Sequence, residues 1–152
     1  MSNYTATVSW RRGADEPFVD NRYSRGHQWS FDGGVSFRAS SSPHVVPRYS
    51  DPAGVDPEEA FIASLSSCHM LTFLAVAAKR GFQVSHYRDK AEGSLAKNAE
   101  GRVAITHCTL RPDIAFSGDS QPSAEELRKM HESAHRNCFI ANSLNSQVEI
   151  IS

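Results

Sequence analysis

Three residues in this chain carry a thiol: Cys68, Cys108 and Cys138. A thiolate is the nucleophile of peroxide reduction and of disulfide exchange, so two cysteines brought together by a fold can cycle between dithiol and disulfide. Cys68 lies inside EEAFIASLSSCHMLTFLAVAAK, and Cys138 lies seventy residues later at the end of EELRKMHESAHRNCFIA. Both stretches read as helices. On the second, Leu127, Met130 (or His131), Ala134, Cys138 and Ala141 recur at spacings of three and four. That stripe turns Cys138 toward the core, where it meets Cys68 if the two helices pack together. Two other readings compete. Free cysteine is among the most buried residue types simply as a small hydrophobe. Alternatively, His131, His135 and Cys138 share one helical face, and with Cys68 or His69 they make a nitrogen and sulfur set of the kind zinc binds tetrahedrally, although no C-x-x-C pair is present. Cys108 sits in the alternating segment ITHCTLRP and has no partner in the spacing.

The remaining candidates are charged. Glu58 and Glu59 open the first helix, where acids complement the helix dipole. Arg22, Arg25, Arg38 and Arg48 occupy the N-terminal hairpin and loop, where an arginine is most simply a solvated charge. There is no Gly-rich phosphate loop and no G-x-S-x-G elbow.

The elements that must position these groups follow from pattern and punctuation. Tyr4 to Trp10 alternates as a strand. Arg25 to Phe31 and Val35 to Ala39 flank Asp32-Gly33-Gly34 as a hairpin, the glycines supplying positive φ. Ser40 to Val55 is a long Ser- and Pro-rich loop. Asp56 is the N-cap of the first helix, with Pro57 at its first position and Glu59 in the capping-box place. Lys79-Arg80-Gly81 ends it. Val84 to Ser94 and Val103 to Phe116 are strand segments around a turn at Asn98 to Gly101. The second helix runs from a Ser123 cap, with Glu126 three residues on, to about Ala141. Gln147 to Ile151 is the last strand. The expected order is β-β-β-α-β-β-α-β, an α+β fold in a single domain over 1–152.

Bulk composition narrows the function. With 22% charged and 39% hydrophobic residues, the 152-residue chain has a globular composition. A net charge of −1 gives no general attraction to nucleic acid or to an anionic membrane. No secretory signal pattern is visible, and three irregularly spaced cysteines make no disulfide scaffold, so the expected compartment is the cytoplasm. The first helix is uncharged from Ala60 to Ala78, but its serines, Thr72 and His69 make it too polar for a comfortable lipid-facing span. A helix apolar all round is buried all round, which calls for a second subunit over part of it.

Two segments carry a resemblance. DPEEAFIASLSSCHM resembles the first cysteine motif of the OsmC/Ohr family, the osmotically inducible and organic hydroperoxide resistance proteins, and NCFIANSLNSQVEI resembles its second. The resemblance implies an intertwined homodimer with central helices packed between sheets. It also implies a thiol-dependent peroxidase of oxidative stress defence that acts on hydroperoxides, organic ones above all. By position it makes Cys68 the peroxidatic cysteine, Cys138 the resolving cysteine and Glu58 the active-site glutamate. It makes Arg25 the activating arginine, with Arg38 and Arg48 as the other places for that charge. No bound cofactor is implied; the reductant is an external dithiol, typically lipoyl-type. His69 directly after the cysteine and the longer SSSPHVVP loop, with its His44, set the chain apart from the best-studied branches. A non-catalytic protein holding a small apolar ligand in the same fold remains the alternative beside the zinc reading.

The chemistry then makes two demands. Cys68 lies about three turns into its helix, beyond the reach of the dipole, so ionising it is expected to require a cation. Glu58 lies about 15 Å from Cys68 along a straight helix, so either the helix bends between them or, the favoured expectation, Glu58 serves the cysteine of a second copy. Phe61, Leu65, Met70, Phe73 and Phe139 are expected to wall the pocket.

Overall fold

A computed structural model describes residues 1–152, which divide into two compact units, Met1–Ala60 and Phe61–Ser152. In the first unit, β1 (Ala6–Ser9), β2 (His27–Phe31) and β3 (Ser36–Ala39) form an antiparallel sheet in that order. β1 is shorter than the Tyr4–Trp10 alternation predicts. Trp10 leaves the strand: its indole N–H donates to the Ser24 carbonyl at 2.9 Å, and its ring packs on Phe18 and Tyr23. The Ser/Pro loop is closed by its own hydroxyls. The Ser41 and Ser50 hydroxyls bond at 2.6 Å, Ser50 donates to the Val46 carbonyl at 2.7 Å, and Ser40 Oγ accepts from the Asp51 N–H at 2.8 Å.

Helix α1 (Pro57–Lys79) begins in the first unit and continues through the second. Its start is the expected box: Asp56 Oδ1 accepts from the Glu59 N–H at 2.7 Å, and Glu59 Oε2 accepts from the Asp56 N–H at 3.1 Å. Its end is a Schellman turn. Gly81 takes a φ of +81°, the Phe82 N–H reaches the Ala77 carbonyl at 3.0 Å, and the Gly81 N–H reaches the Ala78 carbonyl at 3.1 Å.

The rest of the second unit holds β4 (Gln83–Asp89), β5 (Glu92–Lys97), β6 (Val103–Leu110), β7 (Pro112–Ser117), α2 (Ala124–Asn137), a 3-10 turn (Ala141–Ser143) and β8 (Gln147–Ile150). Each of the two predicted long strands is therefore two strands. β4 pairs with β7, whereas β5, β6 and β8 form a separate sheet in which β6 and β8 run parallel. The division falls at Lys90–Ala91 and at Arg111, where Asp89 Oδ1 accepts from the Arg111 N–H at 2.6 Å. Asp89 Oδ2 accepts from the Ser66 hydroxyl at 2.5 Å, which ties the same corner to α1.

α1 buries Leu65, His69, Phe73 and Ala77, one residue in every four. Two apolar clusters form along this stripe. Leu65, Cys108, Leu110 and Cys138 make the first, and Phe73, Ala77, Met130 and Ala134 make the second. Gly93 in β5 permits the close approach of α1 at the first cluster, because a Cβ there would sit 2.3 Å from Ile62 Cδ1. The opposite side of α1, including Ala63, Ser64, Ser67, Leu71, Ala75 and Ala78, is exposed. By length and composition α1 is apolar enough to cross a membrane, and only 22% of its most apolar window is buried.

Candidate functional site

Cys68 lies one turn after Leu65 on the edge of α1, half-buried against the first cluster. Cys138 belongs to the same cluster and is fully buried. It does not lie inside the second helix as the stripe to Ala141 predicts. α2 ends at Asn137, and Cys138 is its C-cap with an extended backbone, φ −76° and ψ 111°. The stripe carries on past the end because the following turn folds Ile140, Ala141 and Leu144 over the same apolar cluster. This turn presses Cys138 against Cys68. Both thiols are free, and each acts directly on the other.

The two thiols titrate in opposite directions. Burial is the largest influence on Cys68 and opposes its ionisation. The backbone N–H of Ile140, the Cys138 thiol, the backbone N–H of Phe139 and the Thr72 hydroxyl together outweigh it and leave the Cys68 pKa below that of an ordinary thiol. For Cys138, burial pushes the pKa up and the neighbouring Cys68 pushes the same way. The Ala141 N–H, bonded to Cys138 Sγ at 3.4 Å, only partly offsets this. Cys108 is also raised by burial, partly countered by the Ser146 hydroxyl. The arrangement therefore has one half-buried thiol that ionises more readily than an ordinary cysteine and one buried thiol that ionises less readily. The donors that bias Cys68 are neutral, which the sequence argument for a cation did not foresee.

The other predicted residues are placed as follows. Glu58 stands in the first turn of α1, and its Oε2 is buried without a hydrogen-bond partner. Arg25 is held in its own segment: its guanidinium donates to the carbonyls of Tyr23 and Asn21 and lies 3.5 Å over the Tyr23 ring. Arg38 pairs with Asp51 at 3.0 Å, and Arg48 and His44 are exposed. Of the expected apolar wall, Phe61 and Leu65 pack in the Cys68 cluster, and Phe139 is 80% exposed. Phe73 belongs to the other cluster, where it stacks on His131 with ring centroids 4.5 Å apart.

His131, His135 and Cys138 are not brought together as a ligand set. No three His, Cys, Asp or Glu side chains are grouped to hold a metal ion, and His131 commits its Nδ1 to His69 Nε2 at 3.0 Å. That buried histidine pair was not found from the sequence. Its signal was the four-residue spacing Leu65–His69–Phe73–Ala77, which places His69 in the buried stripe.

The model of the OsmC-like protein family matches residues 50–152. An OsmC-like protein of unknown function from Vibrio cholerae is 55% identical, with a TM-score of 0.96 over 99% of this chain and 100% of that one. An organic hydroperoxide resistance protein from Elizabethkingia anophelis, solved with thiocyanate bound, has a TM-score of 0.70 at 17% identity over 99% of this chain and 93% of that one. The organic hydroperoxide resistance protein OhrB of Bacillus subtilis has a TM-score of 0.66 at 21% identity, covering 97% and 96% respectively. No curated protein matches the chain.

Proposed function

This chain belongs to the OsmC-like protein family, and on that premise we propose that it is a thiol-dependent peroxidase for organic hydroperoxides. The observation that carries the reading is the unequal thiol pair: a half-buried Cys68 with a lowered pKa against a fully buried Cys138 with a raised one. The Cys68 thiolate attacks the peroxide O–O bond, takes one oxygen as a sulfenic acid and releases an alkoxide, which leaves as alcohol after protonation. The Cys138 sulfur then displaces the sulfenic hydroxyl, and its thiol proton leaves with that hydroxyl as water. An external dithiol, lipoyl-type or similar, reduces the resulting disulfide by two exchanges and is itself oxidised to a disulfide. Such a cycle suits the reducing cytoplasm.

Apolar side chains about Cys68, among them Phe61 and Leu65, favour an alkyl peroxide over hydrogen peroxide. The names of the two hydroperoxide resistance relatives point the same way. A second copy of the chain covers the exposed apolar side of α1, and a cation meets the unpartnered Glu58 carboxylate oxygen. In that homodimer Glu58 and Arg25 face the cysteine of the other copy and orient the peroxide. Replacing either one is then expected to slow the peroxide step by about 10²-fold.

The test is a mass spectrum after one equivalent of cumene hydroperoxide, followed by turnover with a dithiol. A Cys68–Cys138 linkage and dithiol-dependent consumption are expected. A chain that stays fully reduced while the peroxide persists is not a peroxidase.

A further inference from the structure

The buried stripe of α1 contains one ionisable residue, His69, set between Leu65 of the first cluster and Phe73 of the second. His69 is 1% exposed and His131 of α2 is 4% exposed. Their rings lie within 7° of parallel, and His69 Nε2 and His131 Nδ1 share a hydrogen bond of 3.0 Å. The outer nitrogens, His69 Nδ1 and His131 Nε2, have no partner, and neither has the nearby Tyr87 hydroxyl. In either tautomeric arrangement the pair thus leaves one donor and one acceptor unmet. An apolar contact of the same shape would carry no such penalty, so the pair is a poor device for stability. It is a good device for direction, because a single buried polar contact fixes the register of two helices that apolar packing leaves free to slide.

The apolar contact beside it is of the sliding kind. Apart from Val76 and Phe73, which stacks on His131 itself, the two helices meet there through Ala77, Ala134, Met130 and Leu127, and such small or flexible side chains define no unique register. The thiol pair needs a defined one. A disulfide requires Cβ atoms about 3.5–4.5 Å apart. A one-residue slip of α1 would turn Cys68 by about 100° and move it by about 1.5 Å along the axis. Cys68 directly precedes His69, and Cys138 lies two turns beyond His131.

We propose that the His69–His131 hydrogen bond is the register pin of the α1–α2 contact and so the positioning device that holds Cys68 against Cys138. The inference rests on the reading of those two cysteines as a redox pair. Neither histidine touches the reacting sulfur; both act through the helices that carry it.

The test measures the Cys68–Cys138 disulfide in glutathione buffers, mapped by mass spectrometry, alongside urea unfolding of the same full-length chains. His131→Leu is expected to unfold at the wild-type midpoint or above it, while the effective concentration of the two thiols falls at least tenfold. His131→Asn, whose carboxamide oxygen replaces Nδ1 as a bonding atom, is expected to recover to within about threefold of wild type. A smaller fall in His131→Leu, or one that His131→Asn leaves uncorrected, overturns the pin. Should His131→Leu lose its cooperative transition, His131→Phe keeps the stack on Phe73 and is read by the same two outcomes. If the wild-type chain forms no Cys68–Cys138 disulfide in any buffer, the redox-pair reading fails and the pin fails with it. If wild type forms it and His131→Leu matches it, only the pin fails.

Discussion

Cys68 and Cys108 belong to the same apolar cluster, yet burial decides one thiol and loses at the other. The difference lies in what the neighbouring backbone has to spare. Cys108 sits in the middle of a sheet, opposite Gly93 of β5 and Val148 of β8, where amide groups are spent on the ladder. Only the Ser146 side chain is left to act on its sulfur, and burial wins. Cys68 faces a turn just after the end of α2, where the amides of Phe139 and Ile140 have no helical carbonyl to serve. Two such donors, a second thiol and a hydroxyl outweigh the same apolar surroundings. A thiol with a lowered pKa and one with a raised pKa can therefore share a core, provided that unspent main-chain donors border only one of them.

The largest effects should come from removing the favoured side of this contrast. Cys68→Ser is expected to abolish dithiol-dependent peroxide consumption, a fall of about 10³-fold or more, since an alcohol is not ionised near neutral pH. Residual turnover within tenfold of wild type would move the chemistry to another thiol. Cys138→Ser should differ in kind. It consumes one equivalent of peroxide, accumulates a sulfenic acid that dimedone traps, and then stalls, with steady-state turnover down by about 10²-fold. Unimpaired turnover would mean that a sulfur other than Cys138 resolves the intermediate.

How much of this was legible in the sequence depends on where each signal resides. The start of α1 was readable because Asp56, Pro57 and Glu59 act within one turn, and its end because Gly81 alone supplies the positive φ. The end of α2 was not, because Asn137–Cys138 contains neither glycine nor proline and the apolar spacing runs on into the turn. The division of the long strands was also hidden. Alternation continues through Lys90 and Arg111, and the corner is set by Asp89 bonding to residues more than twenty positions away. Helical spacing turned Cys138 toward the core, but its meeting with Cys68 was conditional on the two helices packing together, and the turn after α2 brings it about. The amides that lower the Cys68 pKa were not legible, since a spare main-chain N–H leaves no mark on residue type. His69 was readable in principle, four residues from both Leu65 and Phe73, but only when a histidine is allowed to be core.

The histidine pair extends the same contrast to titration, with an intermediate expected effect. Burial is the first cause holding His69 at about 4, joined by the charges of His131 and His135. Burial also holds His131 at about 4, and Asp89 partly opposes it. Both lie below the ordinary value near 6.5, so between those limits the unfolded chain binds more protons than the folded one. Stability is then complete above about pH 6.5 and falls as pH drops toward 4. A shift of that size is worth at most about 3 kcal/mol per ring, and less for a coupled pair. Calorimetry is expected to find a Tm lower by roughly 5–10 °C at pH 4.5 than at pH 7. A chain carrying His69→Leu and His131→Leu should lose most of that decline. Equal declines in both chains would place the acid sensitivity elsewhere.

The smallest effect should come from the sheet side of the cluster. Cys108→Ala removes one fully buried sulfur from among Leu65, Leu110 and Cys138. The lost contacts and the small void are expected to cost about 1–2 kcal/mol of stability. Peroxide turnover should stay within about twofold of wild type, because the amides bordering Cys68 belong to the turn after α2 and not to β6. Steady-state kinetics and urea unfolding on the same preparation separate the two quantities. A stability loss with turnover intact is what a filler thiol gives. A turnover loss greater than the unfolded fraction explains would mean that the third sulfur exchanges with the other two, and the contrast between spent and spare amides would no longer account for which cysteine reacts.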